Sequence, residues 1–338
     1  MFKSLKKYGL SASVVALGLG LTVTSSVSAQ DEEIESLTLG FIPSSDAGEI
    51  ATTAEPLEEY LSEELGVEVT AEVMVDYTGL IEAMRTQQVD IGFLAPFSFV
   101  QAEERADVEV LLKSVRHGSD TYVAQYVTHV DSGLDSIEDI IAEEGLVWAY
   151  PDVLSTSGYL FPAAQMTDMG VEDLDSFFEQ IAVGGHDNAI IQVYDGQADF
   201  ATTFDDAREN VEEDLEDVMD VLQVVGTTED IPNDTISVRS ELPDEWKEKI
   251  QEAFLSINDN EEVLQVMNEI YNWDALAEAT SEDYDIVREV YAMFEDELTE
   301  GEDDEEDDED SEDEDSEDDS EDEDSEDDAE DEDSEDKE

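Results

Sequence analysis

From residue 37 onward, short apolar runs of strand length alternate with segments whose apolar positions recur at helical spacing. The runs 37–41, 67–74, 90–95, 108–115, 122–130, 146–150, 180–183, 199–204, 221–225 and 235–239 predict strands, and helices are predicted near 49–65, 78–87, 157–168 and 187–195. That alternation argues for an α/β fold with largely parallel sheets. From Pro243 the pattern turns wholly helical, with the proline in a first helical turn. Trp246, Ile250, Phe254 and Ile257 then share one face, a stripe that reads as core.

Both ends of the chain depart from this pattern. Residues 1–29 have the parts of a secretory signal: Lys3, Lys6 and Lys7, an apolar stretch over 10–23, and Val27-Ser28-Ala29 as a small-residue cleavage site. The stretch falls short of the ~20 residues that span a bilayer, so the expected mature protein starts near Gln30 and is soluble. At the other end, residues 301–338 hold 30 acidic residues and one lysine. A nine-residue unit recurs there, identical in 311–319 and 320–328 and degenerate in 329–337. With almost no apolar side chains such a segment cannot offset the entropy of ordering, and 299–338 is expected to be a disordered, solubilising polyanion.

The 338 residues suit two domains. They carry 97 Asp and Glu against 13 Lys and Arg, a formal charge of -84 that would repel nucleic acid. Nucleic-acid binding is excluded as a function. At molar salt the Debye length falls to ~3 Å and self-repulsion is screened, so the composition points to a halophilic host. The absence of cysteine excludes disulfides, thiolate metal sites and cysteine lipidation. No metal, cofactor or catalytic residue is expected.

Two segments carry chemistry. In 149–160, a predicted strand runs through Ser155-Thr156-Ser157-Gly158 into a helix. One hydroxyl suffices for an N-cap; three, beside free helix-start amides and the positive end of the dipole, suit a tetrahedral oxyanion without Lys or Arg. In 183–188, Gly184-Gly185-His186 again leads from a strand into a helix. His186 can donate to an oxyanion, and an unperturbed histidine pKa of ~6.5 lies near the second ionisation expected of phosphonates.

With these segments in view, 37–257 resembles the phosphate/phosphite/phosphonate-binding proteins of ABC transporters. The resemblance is carried by Val75 to Ala83, Val89 to Pro96, the Pro151 to Gly158 segment, Gly185-His186-Asp187 and Ile231-Pro232-Asn233-Asp234, in that order. It implies the two-lobed type II periplasmic binding protein fold, closing about a hinge over its ligand. It implies further that Ser155, Thr156 and Ser157 hold the oxyanion, that Tyr77 and His186 add donors, and that Asp206 and Asp234 line the pocket. A carboxylate there accepts from a protonated oxyanion or pairs with a ligand ammonium.

The third loop, 93–99, departs from aminoalkylphosphonate binders, which can carry a tyrosine where Leu94 stands. Phosphite, methylphosphonate and other short phosphonates therefore rank ahead of aminoalkyl ones, while Phe93, Phe97 and Phe99 read as core or as an apolar wall. Lobe 1 is expected to comprise 31–125 and 235–298, and lobe 2 126–234, with crossings near 122–130 and 225–238. The reading is a monomeric, exported binding protein, periplasmic or released to the medium, that delivers a phosphorus oxyanion to an ABC permease. Its rivals are a module presenting ligand to a membrane receptor kinase and an enzyme on the same fold.

Overall fold

The computed structural model describes residues 34–293. The expected signal and the acidic tail with its repeats lie outside the described residues. Within them, thirteen strands form two large sheets and one short pair.

The first sheet takes β1 (Ser36–Phe41), β2 (Glu68–Val73), β3 (Ile91–Leu94), β4 (Val108–Val115), β12 (Thr235–Arg239) and β13 (Ala275–Glu278), in the order β13-β4-β12-β3-β1-β2. The second takes β6 (Ala124–His129), β7 (Val147–Tyr150), β8 (Glu179–Ala182), β9 (Phe200–Phe204) and β10 (Leu222–Thr227), in the order β10-β6-β9-β7-β8. Between them in the chain, β5 (Thr121–Tyr122) and β11 (Ile231–Pro232) pair antiparallel, one on the way out of the first sheet and one on the way back. The result is the mixed α/β, two-lobed architecture.

The sheets are mixed, which corrects the expectation of largely parallel pairing. β1 pairs parallel with β2 and β3, but β12 returns from the second sheet to insert antiparallel between β3 and β4. Strands within a βαβ run must be parallel, whereas a strand that re-enters after an excursion is free of that constraint. β12 is nonetheless a central strand, and Thr235, Ile236, Ser237 and Val238 have no exposed surface.

Local chemistry explains three further differences. The helix expected over 49–65 is two, Ala47–Thr53 and Glu55–Leu65, because Pro56 fits a first turn but cannot continue a helix. The segment read as a third loop is the end of β3 followed by the helix Pro96–Ala106, again opened by a proline and almost wholly buried at its start. The region after Pro243 is not wholly helical, since β13 adds to the first sheet beside β4. The predicted stripe does pack inward: Ile250, Phe254 and Ile257 are fully buried, and Trp246 lies at its edge under the Lys249 ammonium.

Aromatic rings tie the first lobe's core to the cleft. Phe41 stacks on Phe93 at 4.3 Å between centroids, and Phe93 stacks on Trp273 at 5.7 Å. In the second lobe Trp148 stacks between Tyr159 and Phe200 at 5.4 and 5.9 Å.

Candidate functional site

Four helix starts converge on one cavity of about 30 Å³. The helix Tyr77–Arg85 and the helix Pro96–Ala106 come from the first lobe. The π-helical turn Thr156–Leu160 and the helix His186–Tyr194 come from the second. Tyr77, Ser155, Thr156, Ser157, His186 and Asp234 all line the cavity.

The hydroxyl turn is built by tight packing. Ser155 caps it, its Oγ accepting the Gly158 N–H at 3.0 Å. A Cβ on Gly158 would lie 2.4 Å from Pro151 Cδ, so only glycine lets the turn fold this close to the preceding strand. Thr202 Oγ1 donates to the Gly158 carbonyl while accepting the Trp148 indole N–H at 2.7 Å. Ser155, Thr156 and Ser157 are in consequence all buried.

Hydrogen bonds cross directly between the lobes, so the cleft is closed. The Phe97 N–H, at the start of its helix, donates to Thr156 Oγ1 at 2.8 Å. Ser98 Oγ donates to the Leu154 carbonyl at 3.1 Å, and the His186 N–H to the Ser44 carbonyl at 2.8 Å. Gly185, at the cap of the His186 helix, supplies no side-chain acceptor, which leaves further amides at that helix start for another partner.

The electrostatics differ from expectation at His186. Burial, with the nearby Arg116 charge, pushes its pKa down to about 3, so the ring is neutral across physiological pH. It meets Phe204 edge-on at 4.7 Å, and its Nδ1 is buried without a hydrogen-bond partner. It is a neutral hydrogen-bonding group there and not a cation. Tyr77 is equally neutral: burial first, and the Asp152 carboxylate second, raise its phenol well above the ordinary value.

Asp206 is not brought to the cavity. Its carboxylate accepts from Arg208 Nε at 2.9 Å and Nη2 at 2.6 Å, and from Gln125 Nε2 at 2.9 Å. Burial raises this carboxyl, but the Arg208 and Gln125 donors hold it below the ordinary range. Its lone pairs are occupied by the chain itself, a pairing with the arginine two residues on. Of the three phenylalanines, Phe93 reaches the cavity wall, whereas Phe97 packs against Tyr291 and Phe99 against Tyr284.

The profile of the periplasmic substrate-binding proteins of phosphonate ABC transporters matches residues 39–284. The chain belongs to this family. It is 26% identical over 254 residues to the phosphonates-binding periplasmic protein of Escherichia coli, covering 74% of each chain. Its fold superposes with a TM-score of 0.70 on a binding-protein component of an ABC phosphonate transporter from Pseudomonas aeruginosa, at 26% identity over 76% of this chain and 85% of the other. The structure of PhnD1 from Prochlorococcus marinus in complex with methylphosphonate superposes at 0.69, with 18% identity over 77% of this chain and 98% of that one. Phosphonate-binding proteins of this kind are periplasmic, binding components of ABC transporters, and not enzymes.

The cavity also holds residues that sequence reasoning missed. Arg116 is the foremost. It lies in the turn after β4, and its Nη2 pairs with Asp234 Oδ2 at 2.5 Å, the two side chains 9% and 14% exposed. The guanidinium lies 5.4 Å from the Tyr122 ring centroid and 5.3 Å from that of Phe204. Burial raises the Asp234 carboxyl, and the Arg116 charge and the nearby Trp273 indole N–H act against it. Trp273 Nε1 itself reaches no acceptor in hydrogen-bonding geometry. The available signal was scarcity: in a chain with 13 basic residues, an arginine followed by His117-Gly118-Ser119 at a turn is conspicuous.

Proposed function

We infer that this protein captures a small phosphorus oxyanion, phosphite, methylphosphonate or another short phosphonate, and delivers it to the permease of an ABC importer in the membrane. The observation that carries the reading is the convergence of three buried hydroxyls, a neutral histidine and uncapped helix-start amides on one cavity of about 30 Å³. A water needs roughly 10–15 Å³ by this measure, so the closed cleft has room for about two or three, the size of a compact oxyanion and not of an aminoalkyl chain. The methylphosphonate held by the Prochlorococcus protein of the same fold is a ligand of that size.

Ser155, Thr156 and Ser157 would hold the phosphorus-bound oxygens, Tyr77 and His186 would donate from the facing walls, and Asp234 would accept from a proton-bearing oxygen. Residues 31–125 and 235–298 form the first lobe in this reading and 126–234 the second, hinged at the crossings that contain β5 and β11. The protein is a monomer exported by its first 29 residues into a periplasm, and its charge of -84 suits it to a salt-rich medium. Calorimetry in molar KCl against phosphate, phosphite, methylphosphonate and 2-aminoethylphosphonate tests the reading. Phosphite and methylphosphonate should bind most tightly; preference for 2-aminoethylphosphonate, or no binding of any of the four, would overturn it.

A further inference from the structure

The turn that carries Arg116 is held from two sides. Its backbone closes on itself, Arg116 N–H to the Ser119 carbonyl at 2.9 Å and Ser119 N–H to the Arg116 carbonyl at 2.8 Å. Asn233 clasps the same turn, its Nδ2 donating to the Ser114 carbonyl at 3.0 Å and the Ser119 carbonyl at 2.9 Å. The Tyr284 hydroxyl anchors Asn233 in return, donating to its carbonyl at 3.0 Å. An arginine placed with this much support is not a loosely held surface cation.

Yet its donors are incompletely used. Arg116 Nε is buried without a hydrogen-bond partner, and so are His186 Nδ1 and Trp273 Nε1, three polar atoms on three residues that line one cavity. An unmet buried donor costs free energy comparable to its desolvation, so the arrangement is satisfied when a ligand brings acceptors.

The charge of the cavity wall is also defined. Arg116 and Asp234 cancel, and His186 is neutral. A dianion entering such a neutral site brings two charges that nothing compensates, one more than a monoanion brings, in surroundings poor in water. A monoanion that keeps a proton meets the guanidinium with its negative oxygens and can donate to Asp234 with the protonated one. Sulfate has no proton at neutral pH and would set a bare oxygen against that carboxylate.

We propose that Arg116 is a ligand-contacting, specificity-determining residue whose Nε–H binds the oxyanion, and that its pairing with Asp234 restricts the site to the monoanionic, proton-bearing form and rejects sulfate. This rests on the reading of the ligand as a phosphorus oxyanion. The groups facing Asp234 are Arg116, Tyr122 of β5, Tyr77 at its helix start, Tyr271 at the end of the helix Glu261–Tyr271, Trp273 just beyond it, and Tyr284. Burial raises all four phenols, so none of them titrates near neutrality. The ligand and Asp234 are the partners left to exchange a proton.

Calorimetry with phosphite and with methylphosphonate between pH 5.5 and 8.5 in molar KCl tests this, with circular dichroism confirming the fold. Wild-type affinity should fall by about tenfold per pH unit above the second ionisation of each ligand, and a hundredfold excess of sulfate should not compete. Arg116→Lys keeps the charge but loses Nε, and should weaken binding at least about tenfold; Asp234→Asn should flatten the pH slope and admit sulfate. A pH-independent wild-type affinity, sulfate competition in the wild type, or a folded Arg116→Lys with full affinity would overturn the proposal. If Asp234→Asn does not fold, the wild-type slope and competition decide. Wild type that binds neither probe at any pH defeats the oxyanion reading itself, whereas binding without a slope defeats only this inference.

Discussion

Thr156 Oγ1, in the second lobe, accepts the backbone N–H of Phe97 at the start of a first-lobe helix, at 2.8 Å. The helix Pro96–Ala106 has no cap from its own sequence, since Ala95 precedes Pro96. A hydroxyl from 59 residues further along the chain supplies it, but only when the lobes meet. The same side chain thus belongs to the oxyanion turn and to the contact that closes the cleft.

Thr156→Ala should therefore weaken binding twice over, through a lost donor to the ligand and a lost acceptor across the cleft. Hydrogen bonds to a charged group contribute ~1.5–3 kcal/mol, so calorimetry should show a loss of about tenfold or more, with Thr156→Ser retaining most of the affinity. Unchanged affinity in a folded Thr156→Ala would remove the site from this turn.

Gly158→Ala should cost stability before it costs anything else. The new Cβ would sit 2.4 Å from Pro151 Cδ and 2.7 Å from Ser155 Oγ, contacts that force the turn away from its strand. Overpacking of this kind costs ~1–3 kcal/mol, or a drop of several degrees in Tm by calorimetric melting. A variant melting with the wild type would show that the turn relaxes freely.

Asp187 makes stability depend on pH in an unusual sense. Burial first, and then the Glu49 and Asp46 carboxylates of the first lobe, raise it to about 6, while Asn210 and Asp46 hydrogen bonds act against the rise. A folded-state value above the ordinary ~3.9 means that the native protein holds this proton more tightly than the unfolded chain. The contribution is favourable at low pH, declines as pH rises from about 4 to 6, and is absent above that. Asp187→Asn should melt higher than the wild type at pH 7.5 in low salt, with the gap narrowing at pH 5 and in molar KCl. A gap that ignores both pH and salt would show that the repulsion across the cleft is negligible.

Deleting residues 301–338 should leave affinity unchanged, because every side chain lining the cavity lies within 42–273. Binding by the shortened chain in calorimetry, at the same salt, checks this. A loss greater than about threefold would tie the acidic tail to ligand capture.

Much of this protein was legible along the chain, for a physical reason. Strand and helix periodicity, the proline-opened turns and the Ser155-Thr156-Ser157-Gly158 cap depend on neighbours a few residues apart, which sequence displays directly. β4 and β12 begin and end at the residues their apolar patterns predict, and the hydroxyl turn and His186 do reach one cavity. Even there local reading stopped short, because a histidine's charge depends on its burial and on Arg116, not on the glycines before it.

What the tertiary structure alone decided are pairings over long separations. Arg116 and Asp234 meet across 118 residues, and their meeting turns a site expected to work without a cation into one with a guanidinium and its counter-ion. Asp206, which stands at the place the resemblance marks, is instead taken by Arg208 and Gln125. The antiparallel insertion of β12 depends on where a returning segment finds an open strand, and it carries Asn233 and Asp234 to the cleft. Spacing along a chain encodes the helix start that can receive an anion; which charges face it is settled only when distant segments are buried together and must satisfy one another's donors and acceptors.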